Sequence, residues 1–224
     1  GVTTSAFLVA PLSEAIGWEV VISGFGGMSL LSTVSWLIFG KAQRTAKEEN
    51  NPSLIADVWK VFRTRNTLLL VAADLGPFAL ITTTLAWLPA FYHEVHDISL
   101  IKGGALMGVM SFAGLVALLL ASLLTVRIHK RRPFIIIPGI IIGFAGLAAI
   151  LLGDSVALYI AIGVLGFACW FYVPALMTIP MDLYPNDPRR VSYFFAALMC
   201  VGGIGNFVAP ATVGAIADLT GTLL

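Results

Sequence analysis

The residue whose type and position promise the most chemistry is Asp74. It lies in the apolar run Thr67–Tyr92, about seven residues from its beginning. At the 1.5 Å rise of an α-helix that places it about 10 Å along the run. An ionised carboxylate in hydrocarbon costs at least a few kcal/mol, so such a side chain needs a cavity, a partner or a proton. It can therefore hold a coupling proton or meet a solute. The plainer reading is a carboxylate near the membrane interface that is hydrated or caps a neighbouring helix. Gly76-Pro77 follows directly, and the proline removes a backbone hydrogen bond and permits a bend.

Further along the same run come Thr82-Thr83-Thr84 and Trp87. Successive residues step around a helix, so the three hydroxyls cannot share a direction. One of them, Thr83 in this reading, can point to a cavity while the others bond back to the preceding turn. Trp170 and Tyr172, in Trp170-Phe171-Tyr172-Val173-Pro174, offer flat faces and polar handles to a solute. Packing or lipid contact is their plainer role. Asn206 stands among Gly202, Gly203 and Gly205. In an apolar helix it needs a partner, either a solute or a neighbouring helix that the small residues let approach. The candidate binding or proton-coupling set is thus Asp74, Thr83, Trp87, Trp170, Tyr172 and Asn206.

Other chemistries find less. His93-Glu94-Val95-His96-Asp97 lies on a short connection, does not match His-Glu-x-x-His, and has no further His or Cys nearby. A zinc site needs three or four placed ligands, so a hydrated loop is expected and no metal. A glycine-rich phosphate cradle with its lysine is missing, which removes ATP-driven transport within this chain. Cys169 and Cys200 both sit in apolar runs and give no disulfide framework. No catalytic residue and no cofactor is expected.

The elements that must position these residues follow from composition. Of 224 residues, 58% are hydrophobic and 11% charged, and the mean hydropathy is +0.95. Soluble domains carry about 25% charged residues, and a soluble fold this apolar would expose large aggregating patches. A net charge of +1 argues against a nucleic-acid partner. The lipid bilayer is the expected solvent. Runs long enough to cross it as helices are Val20–Gly40, Thr67–Tyr92, Ile101–Val126, Phe134–Gly153, Ser155–Met181 and Val191–Ala217, after a partial run Val2–Ser13. They lack the alternation of barrel strands. The expectation is an all-α integral membrane protein with six full spans and one partial.

Basic residues orient the spans. Lys41, Arg44, Lys47, Lys60, Arg63 and Arg65 fall in one loop, Arg127, Lys130, Arg131 and Arg132 in another, and Arg189 and Arg190 in a third. These alternate loops hold 12 of the 13 basic residues; the intervening ones hold Lys102 beside Glu14, Glu19, Glu94, Asp97 and Asp154. Lys and Arg are retained in short cytoplasmic loops, so residues 41–66, 127–133 and 182–190 are expected to be cytoplasmic. Within 41–66, Ser53 can cap a surface helix whose Leu54, Ile55, Val58, Trp59 and Phe62 share a face. It would lie at the interface, apolar face down; the alternative is an ordinary linker.

Several stretches together resemble a transporter of the major facilitator superfamily. Ser122–Arg131 is similar to its Gly-x-x-x-Asp-Arg-x-Gly-Arg-Arg gating loop, with Arg127, Lys130 and Arg131 matching and Ser122, Val126 and His129 replacing the first Gly, the Asp and the second Gly. Met181-Asp182-Leu183-Tyr184-Pro185 resembles the acidic-aromatic-Pro end of the tenth helix. Gly202 to Pro210 and then Gly214 to Gly221 resemble the eleventh helix and its exit. Leu85-Ala86-Trp87-Leu88-Pro89 resembles the outer end of the seventh. A faint repeat agrees: Phe7–Pro11 and Phe207–Pro210 place their Ala-Pro pairs 199 residues apart, as expected for equivalent helices of two parallel halves.

The resemblance implies a helical bundle in which residues 1–40 end an N-terminal half, 41–66 link, and 67–224 form helices seven to eleven of a C-terminal half. The earlier helices and the twelfth would then be missing, which suits a chain that opens on Gly1 inside one apolar segment and stops at Leu224 after another. It also implies that the first, fourth, seventh and tenth helices line the path. The function expected is secondary active transport of a small solute by alternating access, proton-coupled as symport or run as exchange, in the cell (inner, plasma) membrane. The partners expected are the solute, protons, the bilayer and the missing N-terminal half. A polytopic membrane enzyme would need more than Asp74 at membrane depth, and a non-transporting membrane sensor is the other alternative.

Overall fold

The computed structural model describes residues 12–13, 15–40, 54–128 and 130–221, with backbone alone at 54, 55 and 57. Most of the partial run Val2–Ser13, the Phe7–Pro11 repeat, Glu14, the loop residues from Lys41 to the expected cap Ser53, and His129 lie outside them. The described helices are α1 (Trp18–Phe39), α2 (Leu54–Phe62), α3 (Arg65–His96), α4 (Leu100–Arg127), α5 (Arg132–Leu151), α6 (Val156–Phe171), α7 (Val173–Leu183) and α8 (Pro188–Thr220). Taking α6 and α7 as one interrupted span, six are long and apolar enough to cross a bilayer. The chain is a multi-pass helical membrane protein.

Caps carry several helices past the apolar runs that define their centres. The side chains of Thr64, Ser99 and Ser155 each accept from the backbone N–H three residues on, at 3.4 Å. Asp187 does the same for Arg190 N at 3.1 Å. Such bonds satisfy donors that a helix start otherwise leaves bare. Asp97 closes α3 in the left-handed region, at φ 52°, which Asp tolerates better than most residues.

The two prolines inside α3 do not interrupt it: the helix runs unbroken through Pro77 and Pro89. The break falls elsewhere. Helix α6 ends at Phe171 and α7 begins at Val173, leaving Tyr172 between them. Pro174 supplies the cause, since it has no N–H to donate and its ring crowds the carbonyl four residues earlier, on Trp170.

Packing links α3 to α8 and α4, α4 to α6, and α5 to α6. Helices α4 and α6 meet so closely that a Cβ on Gly166 would collide with the Met110 backbone. Their buried side chains, among them Leu106, Met110, Ile162, Leu165 and Cys169, belong to the main apolar core. A second cluster joins Val61, Tyr172, Leu176, Phe194 and Leu198 near the basic end. Outward faces keep large apolar side chains such as Leu119, Phe144, Ile160 and Phe207 exposed, as a bilayer solvent permits. Helix α1 forms no packed interface with the other described helices.

The expected surface helix exists as α2, but it docks differently from its apolar pattern. Val61, outside the expected face, is buried, Val58 and Phe62 are half-buried, and Trp59 is 61% exposed. The helix seats on α8 and α3, so tertiary contacts rather than its moment choose the inward edge. The side chains of Leu54 and Ile55 lie outside the described residues.

Candidate functional site

Asp74 is only 2% exposed. Tyr172 Oη donates to Asp74 Oδ1 at 2.8 Å, and this is its single hydrogen-bond partner among the described residues. The bond spans 98 residues of sequence and depends on two local events. The turn position of Asp74 on α3 aims it inward, and the proline-induced break leaves Tyr172 at a helix junction. Tyr172 is itself 2% exposed, packed with Leu176, Phe194 and Leu198. The other carboxylate oxygen faces α8: a Cβ placed on Gly202 would lie 3.7 Å from Oδ2. The carboxylate is thus enclosed by three spans, with one neutral donor and no cation within bonding distance among the described residues.

Above it, α3 and α8 run side by side. A Cβ on Gly205 would overlap the Leu75 side chain, and one on Gly214 would come within 2.8 Å of Trp87 Cζ2. Trp87 Nε1 donates to the Pro210 carbonyl at 2.9 Å. Its polar handle therefore serves the α3–α8 contact, while the ring lines a cavity of about 250 Å³ with Thr83, Thr84, Phe91 and Val213. Thr82 Oγ1 lies 2.9 Å from the Phe78 carbonyl and 3.2 Å from Asn206 Oδ1. One hydroxyl proton serves one of these at a time, and turning the Asn206 amide would let Nδ2 donate instead. Asn206 thus finds its partner across the helix pair, and the threonine that meets it is Thr82, not Thr83.

Trp170 packs elsewhere. It sits against Gly114 of α4, tilted to Phe78 at 6.5 Å, and lines a cavity of about 160 Å³ with Ile81, Met110 and Ser111. The six candidates therefore fall into groups: Asp74 with Tyr172, Thr83 with Trp87, Asn206 with Thr82, and Trp170 alone. Trp170 and the Thr83–Trp87 pair line separate cavities.

In the basic loop, Arg131 is the anchored member. Its Nε donates to Asp182 Oδ2 at 3.1 Å, and its Nη1 to the carbonyls of Thr125 at 2.6 Å and Ile128 at 3.2 Å. Asp182 at the end of α7 thus supplies the acidic partner that Val126 does not. Arg127 and Lys130 are exposed. At the opposite end Lys102 pairs with Asp154, Tyr92 Oη donates to the Ala149 carbonyl at 2.7 Å, and His93 Nδ1 lies 3.2 Å from the Ile98 carbonyl. His96 packs edge-on to Phe91.

Two partners escaped the sequence. Tyr172 was visible as an aromatic but not as the mate of Asp74, and Asp182 was visible in its Pro-ending motif but not as the mate of Arg131. Each pairing depends on which helices are neighbours, and spacing along one chain does not encode that. No curated protein and no solved structure matches the chain. The family description Major Facilitator Superfamily matches residues 1–221. With six helices long and apolar enough to cross a membrane among the described residues, and a match over nearly its whole length, the chain belongs to the Major Facilitator Superfamily of membrane transporters.

Proposed function

We propose that this chain is part of a secondary active transporter that works by alternating access and couples a small solute to protons through Asp74. The observation that carries the reading is the buried Asp74–Tyr172 pair, a carboxylate held among three spans by one neutral donor. A charge in that position is costly, and intramembrane acids of this kind mark proton relays and ion paths. In the ionised form Asp74 accepts from Tyr172. When a proton binds, the charge disappears, the carboxyl gains a donor of its own, and the hold on the α6–α7 junction changes. Interrupted helices at membrane depth suit such a role, because their freed backbone groups and altered direction let one span respond to a local event.

That α1 packs on none of the other described helices supports its assignment to a separate N-terminal half, with 41–66 as the linker and the spans from α3 onward as the C-terminal half. The basic loops support a cytoplasmic side for 41–66, 127–133 and 182–190 in a cell membrane, with Arg127, Lys130 and Arg131 as the gating loop. Trp87, Thr83, Trp170 and Asn206 are proposed to shape the solute path.

The test is proton entry into proteoliposomes, read with an internal pH dye as small solutes are added outside. Solute-dependent acidification is expected for the wild type and is lost in Asp74→Asn. Unchanged acidification in the variant sinks the assignment of Asp74, and solute flux without any proton movement sinks coupling while leaving transport.

A further inference from the structure

At the basic end of the bundle, where α2 lies across the start of α8, a cavity of about 310 Å³ opens between them. Its walls include three cationic side chains, Lys60, Arg189 and Arg190, and one carboxylate, Asp187. That carboxylate is already engaged on both oxygens. Oδ1 accepts from Arg190 N and Oδ2 from Arg190 Nε, each at 3.1 Å. Arg190 is further fixed by the Tyr184 ring, 5.7 Å below its guanidinium carbon. Arg189 has no partner among the described residues, and the hydroxyls of Tyr184 and Tyr193, which also line the cavity, make no hydrogen bond there. Among the described residues the place therefore presents the Arg189 guanidinium and two tyrosine hydroxyls as unused donors, beside an Arg190 that is held rigidly. The amino terminus of α8 adds its own partial positive charge.

Geometry also says where this cavity stands. It sits at the end of the spans, beneath an amphipathic helix whose Trp59 is turned outward, and tryptophans concentrate at the headgroup level of a bilayer. Guanidinium forks match the oxygens of a phosphate in pairs, and basic pockets beside membrane helices are suited to anionic headgroups.

We propose that the cavity between α2 and α8 is a binding site for a phosphate group, with Arg189 and Arg190 as its principal donors and Tyr184 and Tyr193 lending hydroxyls. Phosphate chemistry reaches this level from two sources, an anionic phospholipid or phosphate in solution, and both are probed. The intact protein in detergent is titrated with phosphatidylglycerol, with phosphatidylcholine, and separately with inorganic phosphate. Lipid adducts are read by native mass spectrometry, and phosphate by the shift in thermal unfolding. The wild type is expected to retain phosphatidylglycerol about tenfold better than phosphatidylcholine. That preference disappears in Arg189→Gln/Arg190→Gln and survives in Lys130→Gln, which removes a cation at the same end outside the cavity. Arg189→Gln alone breaks no contact among the described residues, so it keeps the test open if the double variant does not fold, and it should lose part of the preference. A phosphate-induced shift that depends on Arg189, without any lipid preference, assigns the site to soluble phosphate. Lipid and phosphate binding that are both indifferent to Arg189 and Arg190 overturn the proposal.

Discussion

The bundle has two main seams, and they are built from opposite materials. Along α4–α6 the contact is apolar and so close that Gly166 meets the Met110 backbone and Gly114 meets Trp170. Along α3–α8, glycines again allow approach, but hydrogen bonds cross or border the contact: Trp87 to Pro210, the Thr82–Asn206 pair, and Asp74 with Tyr172 beside Gly202. Steric fit between backbones is unforgiving, because no rotamer relieves it. Interhelical hydrogen bonds in a membrane are modest, averaging about 0.6 kcal/mol, and each can be exchanged for another. The first seam is suited to hold a rigid unit, and the second to change partners. The proposed proton site stands on the second.

That contrast is easiest to break on the rigid side. Gly166→Leu is expected to cost about 3 kcal/mol or more by overpacking, seen as a large fall in the thermal unfolding midpoint in detergent or loss of monodisperse protein. Gly203→Leu is the control, since a Cβ there meets nothing within 4 Å. Equal damage from both would remove the distinction between the seams.

On the polar side the effect moves from stability to rate. Tyr172→Phe removes one hydrogen bond to a carboxylate, a change of about 1.5–3 kcal/mol. Proton-coupled uptake in proteoliposomes should fall about tenfold or more, with a smaller fall in the unfolding midpoint than Gly166→Leu gives. A normal rate would make Tyr172 a packing residue. Smallest of all, Trp87→Phe forfeits the bond to Pro210 and should lower stability by about 0.6 kcal/mol with transport kept. Abolished transport in a stable Trp87→Phe protein would instead put Trp87 in contact with the solute.

The same contrast explains what could be read from the chain. Composition and continuous apolar runs suffice for six spans, because the bilayer fixes both length and polarity. Asp74 stands out by the cost of its charge alone. Its partner does not, because the proline that breaks the tenth-helix candidate acts locally while the resulting contact reaches 98 residues away. Likewise the choice of Thr82 over Thr83 depends on which face of α3 meets α8. Periodicity cannot supply that for a helix apolar on all sides. Pro77 and Pro89 sit inside a continuous helix, while Pro174 follows the break between α6 and α7.

The central claim, that Asp74 takes up and releases a proton within the membrane, is tested most directly without knowing the solute. Infrared difference spectra of the reconstituted protein, recorded as pH is lowered, should show the carbonyl stretch of a newly protonated carboxyl that is absent from Asp74→Asn and altered in Tyr172→Phe. Identical spectra for wild type and Asp74→Asn would contradict the account.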